Sequence, residues 1–561
     1  MTEGRTRGLR GFAVRYAFVM SVVLLAAGLL ACGNAEAAEP EPRPVIGDVP
    51  ALKQHTDQEA INAGQISVEE LIRRGNELFV ANFNKLDGAG RPETTDVEDN
   101  NFRSMRVFPD NFNRISGPDA NSCAACHSLP RLGGAGDNAA NVFTLADRLD
   151  FATFDGGEGD DFENITLRMA GNERNSLSLF GAGYIEMLSR EMTADLQSIR
   201  DSAINEARDS GQEVTKSLIT KDVSFGSIMA RPNGTLEVSK VEGVDTDLII
   251  KPFQQKGVVI SLREFMVKAM NTHFGMQAAE RFRDGVDADR DGVVDELTRG
   301  DITAAVLFLA ALAPPGRVMP THPDAIAAVE RGEGLFAQIG CTTCHRTTLR
   351  LDDPVFSEPN PYNPPGKLQL SDVSRALSFS LIDDIEGPNL QPEADGSVLV
   401  PVFTDLKRHD MGDMLNDDLL VHDGVPTNEF LTRKLWGVAS EPPFLHNGRA
   451  TLLSEAIVFH GGEAQAAREA FEALPKADQD AIVEFLKTLQ ILPQDATELV
   501  VYGGPEGTTF YVDPGRAITS TKAGEASMNA LLKSVIGGVV GGLALLAMAG
   551  VAIGLRRRSS V

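Results

Sequence analysis

The sequence predicts a mainly α protein of two similar domains, the first carrying a small β-rich insertion, with a membrane-spanning helix near the C-terminus. Three observations carry that expectation. Apolar residues recur at helical spacing around two copies of a Cys-x-x-Cys-His motif, Cys123-Ala124-Ala125-Cys126-His127 and Cys341-Thr342-Thr343-Cys344-His345. Between the two copies, residues 217–259 are rich in Val, Ile, Thr and Gly around the turn Pro232-Asn233-Gly234, a strand composition. Near the end, Val535 to Leu555 is uncharged and mostly Gly, Ala, Val, Leu and Ile, long enough to cross a bilayer.

Taken in chain order, Arg5, Arg7, Arg10 and Arg15 precede an apolar run from Phe18 to Leu30, the order of a secretory signal peptide over residues 1–31. The run ends in Leu29-Leu30-Ala31-Cys32-Gly33, similar to a bacterial lipobox that would lipidate Cys32. Ala35-Glu36-Ala37 is a competing cleavage site. Residues 32–60 read as a tether rich in Pro, Glu and Ala. The first domain is expected over 61–315, opening with a helix across Ile66 to Asn82 and closing at Ala313-Pro314-Pro315-Gly316. The second is expected over 320–495, closing with the helix Lys476 to Leu492, followed by a linker over 496–530 and the transmembrane helix over 531–555. Arg556, Arg557 and Arg558 would stay cytoplasmic, which places the rest on the periplasmic side of a bacterial membrane.

Composition narrows the function classes. With 561 residues, 42% hydrophobic and 23% charged, the chain is globular and long enough for two to four cores. A net charge of −27 with basic clusters only at the two ends argues against nucleic acid as a partner. Five cysteines divide into two motif pairs and Cys32, so none is left for a disulfide. In an exported chain, paired cysteines not used as staples are used for chemistry.

That chemistry is covalent haem attachment. Two thiols one helical turn apart can form thioethers to one edge of a porphyrin, and an imidazole directly after them reaches the iron. A zinc site or a redox dithiol is the structural alternative, but neither needs the trailing histidine. Each half is therefore expected to be a cytochrome c-type haem domain, with Cys123, Cys126, Cys341 and Cys344 bound to haem and His127 and His345 as iron ligands. The opposite face of each iron decides between electron transfer and catalysis. Two histidines sit in parallel surroundings downstream of the motifs: Ala269-Met270-Asn271-Thr272-His273-Phe274-Gly275 matches Ala456-Ile457-Val458-Phe459-His460-Gly461. His460 and His273 are the candidate distal ligands.

The stretches Asn121 to His127, Arg174 to Gly181, Asp405 to Gly412 and Pro442-Pro443-Phe444-Leu445-His446-Asn447-Gly448-Arg449-Ala450 leading to His460 resemble the di-haem cytochrome c peroxidase family, in its branch of di-haem thiol oxidoreductases. The resemblance runs from the first motif to Leu492. It implies that the second haem is closed and passes electrons, that hydrogen peroxide is reduced at the first, and that the distal ligand follows the Pro-x-x-His-x-Gly segment, which points to His460. Family members commonly carry methionine or tyrosine there, so histidine implies a lower potential. A small c-type cytochrome or a quinol-linked donor is the implied redox partner. Glu186 occupies the place of a proton-moving acid for peroxide cleavage. A tryptophan often lies between the haems in this family, whereas Trp436 falls beside the Pro-x-x-His segment.

Asp287-Ala288-Asp289-Arg290-Asp291-Gly292-Val293-Val294-Asp295 alternates carboxylates with a glycine at the sharp turn, like a calcium loop, with Thr298 where a bidentate Glu would stand. Asp287, Asp289, Asp291 and Asp295 are the candidate calcium ligands. Two other function classes stay open beside the peroxidase: an electron carrier with both irons six-coordinate, and a di-haem oxygenase acting on an organic substrate.

Overall fold

The computed structural model describes residues 46–90, 118, 120–136, 139–144, 171–416 and 424–507. The expected signal peptide, Cys32, the transmembrane helix over 531–555 and most of the linker before it lie outside these residues. The described residues from Pro50 onward form one unit.

Its helices follow from local signals. Helix α1 (Val68–Val80) starts where Ser67 accepts a hydrogen bond from the Glu70 amide, with Glu69 and Glu70 in the first turn, and buries Leu71, Gly75, Leu78 and Phe79 on one face. Helix α2 (Ala182–Ser210) is the longest, and glycines in the left-handed region stand at both its ends. Helix α3 (Leu262–Ala269) is capped by Ser261 and runs on as a π-helical turn, Met270–Phe274. Helix α4 (Arg299–Ala310) begins at a capping box of Thr298 and Asp301. Helix α5 (Pro323–Gln338) has Pro323 in its first turn, and α6 (Leu453–Val458) and α7 (Lys476–Thr488) follow in the C-terminal half.

One crossing occurs twice. Helix α1 lies across α4, and α5 lies across α7, and these are the most extensive helix contacts in the described residues. In each crossing a glycine of the first helix meets a backbone carbonyl of the second: Gly75 against Ala304, Gly332 against Ala481. Four residues on, an aromatic pair closes the contact, Phe79 on Phe308 at 5.2 Å between ring centroids and Phe336 on Phe485 at 5.4 Å. The sequences behind this are near copies, Arg74-Gly75-Asn76-Glu77-Leu78-Phe79 and Arg331-Gly332-Glu333-Gly334-Leu335-Phe336.

The expected fold class requires correction. Fourteen short strands form six separate sheets among the described residues, so the architecture is mixed helix and strand rather than mainly α. The strands are two to eight residues long, and most are too short to show alternation in sequence. One three-stranded sheet spans Val214 to Glu237, but the others are scattered, and one joins Leu489–Gln490, expected as helix, to Gly316–Met319. No cytochrome c fold is evident among the described residues. The largest apolar core draws on residues from Ile61 to Trp436. No helix among the described residues is long and apolar enough to cross a membrane.

Candidate functional site

Both Cys-x-x-Cys-His motifs form the same local structure. Each begins with a turn of 3-10 helix, Cys123–Ala125 and Cys341–Thr343, after which the His127 amide donates to the Cys123 carbonyl at 2.9 Å and the His345 amide to the Cys341 carbonyl at 3.0 Å. Ser122 caps the first turn through its side chain; Gly340, at φ +95°, enters the second. All four cysteines are half-buried and outside any disulfide. Burial pushes the Cys123 thiol up to about 12 and the Cys341 thiol to about 11. The duplicated helix crossing reaches both motifs, with Phe79 at 6.2 Å from the His127 ring and Phe336 at 6.2 Å from the His345 ring.

The two imidazoles are set up as ligands. His127 Nδ1 donates to the Gly134 carbonyl at 3.1 Å, and His345 Nδ1 donates to the Phe403 carbonyl at 3.0 Å. A carbonyl only accepts, so Nδ1 carries the proton and Nε2 is left with its lone pair, the arrangement typical of a metal-bound histidine. Loss of hydration lowers both imidazoles to about 4, so both are neutral near pH 7, as a ligand must be.

The distal candidate of the second motif meets the same test. The rings of His345 and His460 lie with centroids 6.4 Å apart, tilted 53° to each other. Two metal–nitrogen bonds of about 2 Å plus the distance from each Nε2 to its ring centre account for roughly that separation. His460 Nδ1 donates to the Ala456 carbonyl at 2.8 Å, one turn back in α6, and burial lowers its proton affinity too. These residues fit a haem iron between two histidines.

At the first motif, His273 is carried on the π-helical turn after α3, close enough to His127 for its charge to oppose protonation there. Irregular turns of this kind concentrate at functional sites. Beside Cys123 an apolar cleft is lined by Phe79, Met266, Met270, Ile302 and Leu309, a surface suited to a porphyrin face. Glu186 is fully buried in α2 and fully engaged: it pairs with Arg190, accepts from Asn360 Nδ2 at 2.8 Å, and accepts from the Leu262 amide at 2.7 Å. It thereby ties α2 to the start of the helix that leads to His273.

Three features escaped sequence reasoning. The Arg-Gly-x-x-Leu-Phe repeat was readable in the sequence but calls for a comparison of the segments before the motifs. Lys434 comes from the second half and donates to the Ser178 carbonyl of the first at 2.8 Å, placing its charge within reach of His127. Withdrawal from water lowers it to about 7. Two residues on, Trp436 is buried against Gly181, with its ring edge-on to Tyr184 at 6.5 Å. The Arg433 backbone meets His345, so the stretch 433–436 reaches both motif regions, and no local signal marks it. His409 is the third: it is braced between Asp405 at 2.8 Å and Glu463 at 2.7 Å.

In the acidic loop the carboxylates of Asp287, Asp289 and Asp291 bring ligand atoms within 4.8 Å of one another. Asp289 is 1% exposed, and its Oδ2 has no hydrogen-bond partner in the protein. Burial pushes Asp289 up to about 8 and the neighbouring buried Glu296 up to about 10. Asp295 is not in this cluster: at φ +52° it turns away and accepts from the Gly285 amide. Thr298 caps α4.

Residues 375–489, which hold Asp405, His409, Trp436, His446 and His460, match the family described as "Di-haem oxidoreductase, putative peroxidase". No curated protein matches the chain. Among solved structures, the chain is similar to Kuenenia stuttgartiensis hydrazine synthase pressurised with xenon, at 14% identity over 80% of this chain and 100% of that one, with a TM-score of 0.30. It is also similar to a MauG-like protein associated with microbial copper homeostasis, at 14% identity over 52% of this chain and 83% of that one, with a TM-score of 0.22. Neither structural likeness is deep enough to carry an argument about fold or chemistry. Over residues 375–489 the chain is similar to the di-haem oxidoreductase family.

Proposed function

We propose that the protein is an exported c-type di-haem enzyme that reduces hydrogen peroxide to water, taking electrons at the His345/His460 site and reacting at the His127 site. The observation that carries this reading is the pair His345 and His460, with ring centroids 6.4 Å apart and each Nδ1 committed to a backbone carbonyl. Cys123, Cys126, Cys341 and Cys344 would hold the two haems covalently, which supply one-electron chemistry when bound. The chain's own residues do the rest. His345 and His460 would hold the second iron, Trp436 and the stretch before it span the region between the motifs, and the cleft beside Cys123 offers an apolar lining. The acidic surface suits a positively charged donor such as a small c-type cytochrome. The nearness of His273 to His127 favours a second reading, an electron carrier with both irons closed.

Spectra separate the two. The half-reduced protein is expected to show one high-spin haem and to oxidise a reduced cytochrome in a peroxide-dependent way. His460→Ala should lower turnover at least about tenfold, and His273→Ala should raise the high-spin fraction of the as-isolated protein. Two low-spin haems in every redox state without turnover would sink the peroxidase reading in favour of the carrier.

Asp287, Asp289 and Asp291 would hold a calcium ion, which supplies the partner that buried Asp289 Oδ2 lacks. Calcium at a hundredfold excess over its dissociation constant is expected to stabilise the fold by about 2.7 kcal/mol. The thermal midpoint should therefore rise with calcium and fall with chelator, and Asp289→Asn should abolish that dependence. An unchanged midpoint in calcium-titrated wild type would refute the site.

A further inference from the structure

The distal ligand His460 sits at the end of a short helix of six residues, α6, and begins the sequence His460-Gly461-Gly462-Glu463. A helix that short does not by itself hold a residue two positions past its last one. The structure supplies an external hold, the segment His409-Asp410-Met411-Gly412. Glu463 reaches across to it with both carboxylate oxygens: Oε2 takes His409 Nδ1 at 2.7 Å, and Oε1 takes the Asp410 amide at 3.0 Å. Between these bonds the two backbones touch through glycines. A Cβ on Gly412 would lie 2.6 Å from the Gly462 nitrogen, one on Gly461 2.8 Å from the Met411 carbonyl, and one on Gly462 inside contact distance of the Asp410 carbonyl. Gly412 and Gly462 are also in the left-handed region, at φ +69° and +51°. No side chain larger than hydrogen fits this contact.

The other face of His409 leads to the proximal ligand. His409 Nε2 bonds Asp405 at 2.8 Å, and Asp405 follows Phe403 by two residues, whose carbonyl orients His345. His409 is 7% exposed. One buried imidazole thus joins the backbone that aims His345 to the loop that presents His460.

We propose that His409 and Glu463 form a clasp that positions His460 opposite His345, so that the coordination of the second iron depends on a carboxylate at the protein surface. The inference rests on the reading that His345 and His460 share an iron. His409 and Glu463 are positioning residues: they do not touch that iron, but without them the Gly461-Gly462 turn is free to carry His460 away. The clasp also leaves two carboxylates on one histidine beside the motif, a local excess of negative charge that stabilises the oxidised site.

Glu463 makes the decisive substitution, because its side chain is 53% exposed and a carboxylate with only a surface role can be removed with little effect. Wild type, E463A and H409A are to be compared by the mass of the denatured chain, which counts bound haems, by ferric low-temperature electron paramagnetic resonance, and by redox titration. With two haems still bound, E463A and H409A are expected to lose the bis-histidine low-spin signal of the second haem in part or whole. In E463A the removal of a negative charge should also raise the potential of that haem while leaving the first unchanged. Should H409A fail to accumulate, E463A carries the decision. A wild type that shows a bis-histidine haem which E463A leaves unchanged in spectrum and potential overturns the clasp alone. A wild type with no bis-histidine haem overturns the underlying assignment, and the clasp with it.

Discussion

Replacing Cys341 and Cys344 together by alanine is expected to remove one of two covalently bound haems and, with it, the low-spin signal assigned to His345 and His460. The expectation follows from geometry on both sides of the iron. The two rings stand 6.4 Å apart and each Nδ1 is held by a carbonyl, so Nε2 of each keeps its lone pair for a ligand. Without thioethers, the haem is held only by its axial bonds and is lost during purification. The matching double substitution at Cys123 and Cys126 should remove the other haem and leave the His345/His460 signal intact. Mass measurement on the denatured chain, with an alkaline pyridine spectrum, counts the haems directly. A chain that carries none in the wild type, or that keeps both after C341A/C344A, rules out covalent attachment at these motifs.

What could be read from the sequence divides along the range of the interaction. The motif turns are local, since five residues determine where Cys341, Cys344 and His345 point, and the structure places both motifs in the same conformation. The pairing of His460 with His345 was suggested by the parallel between the segments ending in His273 and His460. The groups that fix those rings were not legible: the Phe403 carbonyl is 58 residues from His345, and a backbone carbonyl has no identity in a sequence. The same reason hid Lys434, whose partner at Ser178 lies 256 residues away. In the acidic loop, conformation rather than spacing decides where one carboxylate goes. Alternation assigns Asp295 to the cluster, but its positive φ turns it to Gly285, while the neighbouring Glu296 goes inside. The fold class went astray because helical periodicity is detectable over the 13 residues of α1, whereas strands such as Leu349–Leu351 offer three residues. Their hydrogen bonds close only when Val398–Val400 arrives from elsewhere in the chain.

The duplicated helix crossing predicts opposite outcomes for two glycines of one helix. Gly332 and Gly334 both lie in α5, and on propensity alone each should gain up to about 1 kcal/mol on substitution by alanine. At Gly334 nothing lies within 4 Å of the added Cβ, so Gly334→Ala is expected to stabilise by about that amount. At Gly332 the same methyl would enter contact distance of the Ala481 carbonyl oxygen and carbon, and these are backbone atoms that no rotamer change can move. Helix α5 must then lift off α7, at a cost of about 1–3 kcal/mol for overpacking, and the contact of Phe336 with Phe485 opens with it. Since Phe336 also packs 6.2 Å from His345, Gly332→Ala should weaken the second haem site as well as the fold, whereas Gly334→Ala should leave the haem spectrum untouched. Gly75→Ala is the equivalent test in α1, against Ala304 and Phe308, and its effect should fall on the first haem instead. Denaturant unfolding followed separately by far-ultraviolet circular dichroism and by haem absorbance measures both consequences. Equal stabilities for Gly332→Ala and Gly334→Ala would show that the close crossing is not what joins these helices to the motifs.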